Sequence, residues 1–223
     1  MKKFILSIIG IIAVFIIVLV INLIIFEHRG STISEGTPIK KSKTEVPALL
    51  VVDVQEATTG AVSTSECYTR NSDALIQKIN TIIGFCDQNN IHVLYIKSEI
   101  SNWLINILND SYEKGSTGAE LDKRLSIVSD NIISKDKNDA FCNPLLDTIL
   151  IKNKVNRLYI VGLDAAHCIN STIEAALNRQ YRISVIKDAV ISETDSLKNL
   201  MFDKFLANNV HLLSTEEFFK EQE

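Results

Sequence analysis

Residues 158–189 read LYIVGLDAAHCINSTIEAALNRQYRISVIKDA, and their apolar rhythm decides the fold. Leu158, Tyr159, Ile160 and Val161 form an uninterrupted apolar run closed by Gly162, as in a strand buried on both faces. From Cys168 onward Ile169, Ile173, Ala176 and Leu177 recur at helical spacing, and residues 183–186 return to a strand. Strand, sharp connection, helix and strand make a right-handed crossover between parallel strands. Ligands of such sheets bind beyond the carboxyl ends of the strands, which is where Cys168 falls. The unpaired amides at a helix start carry partial positive charge, so they favour a thiolate and stabilise an oxyanion. A cysteine in such a corner also serves as a small hydrophobe, and position alone leaves both roles open.

The same alternation extends to either side. Residues 48–54, ALLVVDV, are apolar except for Asp53, whose carboxylate either caps a turn or points into the crevice. Residues 71–90 form an amphipathic helix with Leu75, Ile76, Ile79, Ile82, Ile83 and Cys86 on one stripe and Asn71 or Ser72 as cap. A strand follows at 92–96. Residues 98–124 are irregular, hold Trp103, Gly115 and Gly118, and are expected to form a wall or lid. A short strand at Ile132 and Ile133, helices at 145–151 and 197–207, a strand at 210–213 and a helical turn at 215–220 complete the pattern. At least five alternations with apolar strands predict an α/β fold, a mostly parallel Rossmann-like sheet in a three-layer α/β/α arrangement.

Residues 4–26, FILSIIGIIAVFIIVLVINLIIF, carry no charge and are long enough to cross a hydrocarbon core of about 30 Å. A cleaved signal peptide competes with a retained anchor. The length of the run and the lack of a small-x-small cleavage site favour a single-pass N-terminal membrane anchor. Lys2 and Lys3 precede it and Arg29, Lys40, Lys41 and Lys43 follow, so charge leaves the orientation open; the short N-terminal flank favours the domain outside. Residues 27–45 are polar, with Gly30, Gly36 and Pro38, and read as a tether. The expected organisation is therefore anchor 1–26, tether 27–45 and a folded domain 46–223.

The 223 residues carry a net charge of only −4 with scattered lysines and arginines, which argues against a nucleic-acid partner. Cys67, Cys86, Cys142 and Cys168 show no CxxC pairing, so neither a disulfide scaffold nor a zinc site is expected. Asp53, Lys135 and Cys168 all fall at the carboxyl edge of the sheet. Together they suit acyl transfer: a sulfur nucleophile, a carboxylate to carry its proton, and an ammonium to balance charge. The amides of Ala165 and Cys168 are the expected oxyanion donors.

At these residues the chain resembles the isochorismatase-like cysteine hydrolases, over about residues 46–213. ALLVVDVQ is similar to that family's opening strand and DxQ motif, which makes Asp53 the expected acid/base and sets Gln55 beside it. KDKNDAF is similar to KxxxSAF, a spacing that selects Lys135 over Lys137 and brings Phe141 with it. GLDAAHCINSTIEAALNRQYRISVIKDAV resembles the nucleophile segment, which implies Cys168 as nucleophile and a cis peptide just before Ala165. KGSTGAEL, at 114–121, is similar to the glycine-rich segment. Departures are Ala165 for threonine, Asp164 for a small apolar residue, Asp139 for serine, and Glu56, Ala57, Thr58 and Thr59 where an NDF would stand. Asp164 and Asp139 would favour a neutral or cationic substrate if they faced inward.

Nicotinamidases of the family carry a DxH metal motif, whereas this chain reads KSEISNWLIN there, so no metal and no other cofactor is expected. The resemblance implies a small-molecule substrate, homo-oligomerisation, and a cysteine-dependent hydrolase of a small amide or ureide acting through a thioester. A vinyl ether hydrolase and a non-catalytic binding domain are the alternatives. Gln55, Trp103, Phe141, Asp164 and His167 complete the expected pocket. His167 adjoins the nucleophile but points away from it on a helix, which argues against a cysteine–histidine dyad.

Overall fold

The computed structural model describes residues 2–40 and 42–222; Lys41, counted above among the flanking charges, lies outside the described residues, as do residues 1 and 223. Six parallel strands form one sheet: β1 (Pro47–Val52), β2 (His92–Ser98), β3 (Ile132–Lys135), β4 (Arg157–Gly162), β5 (Arg182–Val190) and β6 (His211–Leu213). Their spatial order is β3-β2-β1-β4-β5-β6. The chain thus builds outward from β1 in one direction and then restarts on its other side with β4. Crossovers on the two sides of such a switch point cover opposite faces and leave a crevice at the carboxyl ends of β1 and β4.

The expected three-layer α/β fold is the one observed. Pleating turns Leu49 and Val51 of β1 to one face, where they meet Leu75, Ile79, Ile82 and Ile83 of a helix at Ser72–Gln88 and Phe218 of the final helix, Thr215–Gln222. Ala48, Leu50 and Val52 turn to the other face, against Leu146 and Leu150 of the helix Pro144–Lys152, Ile173 and Ala176 of Asn170–Asn178, and Phe205 of Asp195–Ala207. Gly162 sits at φ 112° opposite Val52, and a Cβ there would run into the Val52 carbonyl oxygen. Only glycine lets β1 and β4 approach so closely at the edge of the crevice.

The apolar amino terminus is a helix, α1 (Lys2–Gly30), long and apolar enough to cross a membrane. It runs four residues past Phe26, and the segment expected as a free tether lies along the domain instead. Ile33 and Ile39 pack against the core, Ser34 N–H donates to Asp139 Oδ2 (2.8 Å), and Ile39 N–H donates to the Arg179 carbonyl (2.9 Å).

Arg179 holds this strap. Its buried guanidinium donates to both carboxylate oxygens of Asp147 (2.8 and 2.9 Å) and to the Ser34 and Ala175 carbonyls (3.2 and 3.0 Å), and it lies over the Phe141 ring. Arg179→Met strands Asp147 and frees the strap, and removing one partner of such a pair costs about 3 kcal/mol. Denaturant unfolding of the full chain in detergent should show that loss; an unchanged midpoint would mean that the strap is held by its isoleucines alone.

Candidate active site

Three neighbouring strand ends build the site. Asp53 is the first residue past β1 and takes a left-handed backbone conformation, φ 52°. Its N–H donates to the Ile96 carbonyl (2.9 Å), while Thr58 Oγ1 donates to the Asp53 carbonyl (2.7 Å) and accepts the Gln55 N–H (2.9 Å). Ser98 closes β2 and is paired in register with Lys135, which closes β3. Lys135 is therefore one strand removed from β1, and its long side chain reaches back across Ser98 to Asp53.

The Lys135 ammonium is buried and donates to Asp53 Oδ2 (3.0 Å), Ser98 Oγ (2.8 Å) and Cys168 Sγ (3.1 Å), which uses all three of its hydrogens. Ser98 Oγ in turn donates to Asp53 Oδ1 (3.2 Å). The three ionisable residues singled out from the sequence thus meet around one nitrogen.

Cys168 lies in a single wide turn of π-helix, Ala165–Ile169, that leads into Asn170–Asn178. Asp164 caps it. The Asp164 carboxylate accepts from Ala166 N–H (2.6 Å), Ser192 Oγ (2.8 Å), Glu193 N–H (2.9 Å) and Tyr68 Oη (3.2 Å), which satisfies its charge within the protein. The peptide between Leu163 and Asp164 is cis, one bond earlier than expected. The expectation for Ala165 needs correction: its N–H donates to the Ile191 carbonyl (3.1 Å) and Ala165 is wholly buried. Among the described residues the Asp164 N–H has no such acceptor, and Asp164 and Cys168 both line the cavity.

Electrostatics correct a second expectation. Burial first, and then the Asp53 carboxylate, push the Cys168 thiol up to about 12, outweighing the pull of Lys135. Burial would depress the Lys135 ammonium, but Asp53 and the sulfur outweigh it and hold the group above the ordinary lysine range. The thiol is therefore harder to ionise than its place at a helix start alone would imply.

The cavity over the sulfur has a volume of about 220 Å³. Of the expected pocket residues, Asp164 and His167 line it, His167 with an exposed ring whose Nε2 lies 3.9 Å from Glu193. Gln55 does not. Its amide donates to the Ser98 and Ala119 carbonyls (both 2.9 Å) and accepts the Ser98 N–H (2.7 Å), so it is a buried brace between the β2 end and the glycine-rich segment. Phe141 is core, stacked near Tyr181 and under Arg179. Trp103 stands outside the cavity, on a four-residue helix, with 63% of its surface exposed. Asp139 is not among the residues lining this cavity; its carboxylate accepts from Phe141 N–H (2.7 Å) and from Ser34 N–H.

Residues not foreseen from the sequence are Ser98, Tyr112, Asn138, Tyr68 and, from α1, Phe26 and Gly30. Ser98 was open to the same strand-end rule that found Asp53 and Lys135. Tyr112 comes from the irregular segment, where no pattern points to it; burial, with the charge of Asp53, pushes its phenol well above the ordinary tyrosine range. No three His, Cys, Asp or Glu side chains converge as a metal-holding group among the described residues.

The isochorismatase domain model matches residues 47–217, three quarters of the chain and all six strands. The chain belongs to the isochorismatase family. The isochorismatase family protein YaaI of Bacillus subtilis is 25% identical over 150 residues, which cover 66% of this chain and 82% of that protein. An isochorismatase-like hydrolase from Alkaliphilus metalliredigens superposes with a TM-score of 0.70 at 18% identity, over 80% of this chain and 99% of its own. N-carbamoylsarcosine amidase from Thermoplasma acidophilum superposes with a TM-score of 0.65 at 26% identity, over 77% and 98%. As an isochorismatase-family chain it shares its fold with hydrolases that include amidases.

In this isochorismatase-family site Asp53 opposes ionisation of the thiol. Asp53→Asn removes that negative charge and leaves Lys135 beside the sulfur, so it should speed iodoacetamide labelling of Cys168 at neutral pH by about tenfold or more. Peptide mapping separates Cys168 from Cys67, Cys86 and Cys142, whose rates should not change. A slower Cys168 in the variant would show that Asp53 instead promotes the thiolate.

Proposed function

We propose that the protein is a cysteine-dependent hydrolase of an amide or ureide, held at a membrane by α1. The observation that carries this reading is the single buried ammonium within hydrogen-bonding distance of both Cys168 Sγ and Asp53. A sulfur nucleophile, a carboxylate and a fixed cation around one cavity are what acyl transfer from nitrogen requires. The amidase among its structural relatives, at 26% identity, supports the same class.

In this reading the substrate carbonyl enters over Sγ. Asp53 takes the thiol proton as sulfur attacks the carbonyl carbon, and the C–S bond forms. The oxyanion is received by the N–H groups of Asp164 and Cys168, in place of the Ala165 amide. Asp53 then gives its proton to the leaving nitrogen as the C–N bond breaks, leaving a thioester on Cys168. Water replaces the amine, Asp53 takes its proton, the C–S bond breaks, and the acid leaves while the thiol is restored. Lys135 keeps its proton throughout; it holds Asp53 in place and offsets the charge that develops on sulfur. A thiol that is neutral at rest and deprotonated only during attack fits a site that is selective for its substrate.

The anchor reading of α1 is supported by its length and by its apolar, exposed surface. In that reading residues 1–26 are the anchor, and the domain from residue 46 is the hydrolase.

The test is a panel of small amides and ureides offered to the full chain and to Cys168→Ala, Asp53→Asn and Lys135→Met. Each variant should lose about 10²-fold or more in kcat/KM, the range for a positioned acid–base group. Full turnover by either of the first two would sink the mechanism. Because thiol and ammonium titrate high, kcat/KM should show no alkaline fall below about pH 10. Turnover of a vinyl ether that survives thiol modification would favour the alternative chemistry, and tight binding without turnover a sensing domain.

A further inference from the structure

The end of α1 forms part of the wall of the crevice. Leu19, Asn22, Leu23, Phe26 and Gly30 are the half-buried residues of α1, and their spacing of three and four puts them on one face. Asn22 Oδ1 accepts from Asn102 Nδ2 (3.1 Å), the Gly30 carbonyl accepts the Asn138 N–H (3.1 Å), and Phe26 and Gly30 line the cavity that holds Cys168. A second cavity of about 190 Å³ adjoins the first; α1 gives it Ile25 and Phe26 together with the polar Asn22 and Arg29. The two share Phe26, Ile100, Asp136 and Lys137. Space therefore extends from the sulfur, past Phe26 and Ile100, toward the flank of the long apolar helix.

Beside α1 lies a short helix (Trp103–Asn106), capped by Asn102. It and the residues after it expose Trp103, Ile107 and Leu108, at 63%, 55% and 53%. Residues 4–26 of α1 extend about 35 Å, against a hydrocarbon core of about 30 Å. The bilayer boundary thus falls within the last turns of α1, at the level where Asn22 meets Asn102. Tryptophan favours that boundary, and exposed apolar side chains sink about 5–10 Å into it.

We propose that the crevice opens on the bilayer surface, where Trp103, Ile107 and Leu108 seat the domain in lipid, and that its substrate is an amphiphilic amide whose apolar chain lies between Phe26 and Ile100. This rests on the readings of α1 as a membrane span and of Cys168 as an amide-cleaving nucleophile. The amide carbonyl reaches the sulfur while the chain follows the second cavity toward the lipid from which the molecule came. Hydrolysis breaks the C–N bond, adds water, and returns a long-chain acid and an amine.

Trp103 is the only tryptophan, so the native fluorescence of the full chain in phosphatidylcholine vesicles reports on this surface directly. Acyl-chain-brominated phosphatidylcholine should quench it strongly and aqueous iodide weakly. In the same vesicles kcat/KM should rise about tenfold or more from butanamide to dodecanamide, and Phe26→Ser should flatten that rise, which simple partitioning of the longer amide into lipid would leave intact. Quenching by iodide without quenching by bromolipid overturns the bilayer seat, and equal turnover along the amide series overturns the apolar subsite. Release of the chain by alkaline carbonate overturns the proposal through the membrane span. Cleavage of no amide at all overturns it through the nucleophile, with Trp103 quenching still reporting separately on the seat.

Discussion

The Lys135 ammonium, buried with its three hydrogens committed to Asp53, Ser98 and Cys168, is the interaction on which the rest of the site depends. An unpaired ammonium could not remain charged there, because desolvation would drive off its proton. Asp53 and Ser98 hold it, and they are placed by the register of β1, β2 and β3. A slip of one residue in any of these strands would turn the corresponding side chain to the other face and leave a buried charge unmatched. Sheet register and chemistry are therefore one constraint. Losing either partner of the Lys135–Asp53 pair is expected to cost about 3–5 kcal/mol as well as activity.

The same pair bears on the thiol, which burial and the Asp53 charge push upward. Lys135 alone would favour a thiolate, but its charge is already matched by Asp53, and a second anion in a buried space is opposed by both desolvation and repulsion. The proton has a destination only when the carbonyl carbon is present to take the sulfur. In the proposed mechanism Asp53 both opposes ionisation of the free thiol and takes its proton during attack.

Much of this was legible in the sequence, because apolar periodicity reports burial directly. The runs of β1 and β4 and the stripe of residues 72–88 appear as helix and sheet with ends shifted by a few residues. Asp53, Lys135 and Cys168 were legible because strand ends are where a parallel sheet presents side chains. Gln55 and Phe141 stand elsewhere than expected because a motif position does not say whether a residue braces, packs or lines, and Trp103 because nothing in the irregular segment fixes where its side chain points. Gln55 braces Ser98 and Ala119, Phe141 packs under Arg179, and Trp103 faces outward beside α1. Ala165 failed because a backbone amide carries no sequence signal, and only the fold reveals that Ile191 already accepts from it. The strap that follows α1 reads as a tether in the sequence because two isoleucines among polar neighbours leave no periodicity to detect.

The covalent step can be observed directly by mixing the full chain with an amide it cleaves, quenching in acid within a turnover, and mapping its peptides by mass spectrometry. The Cys168 peptide should gain the mass of the substrate's acyl group, the adduct should be released by hydroxylamine, and Cys67, Cys86 and Cys142 should remain unmodified. Turnover that proceeds at the parent rate while Cys168 stays unacylated at every quench time, and that persists after Cys168→Ala, would contradict a thioester route.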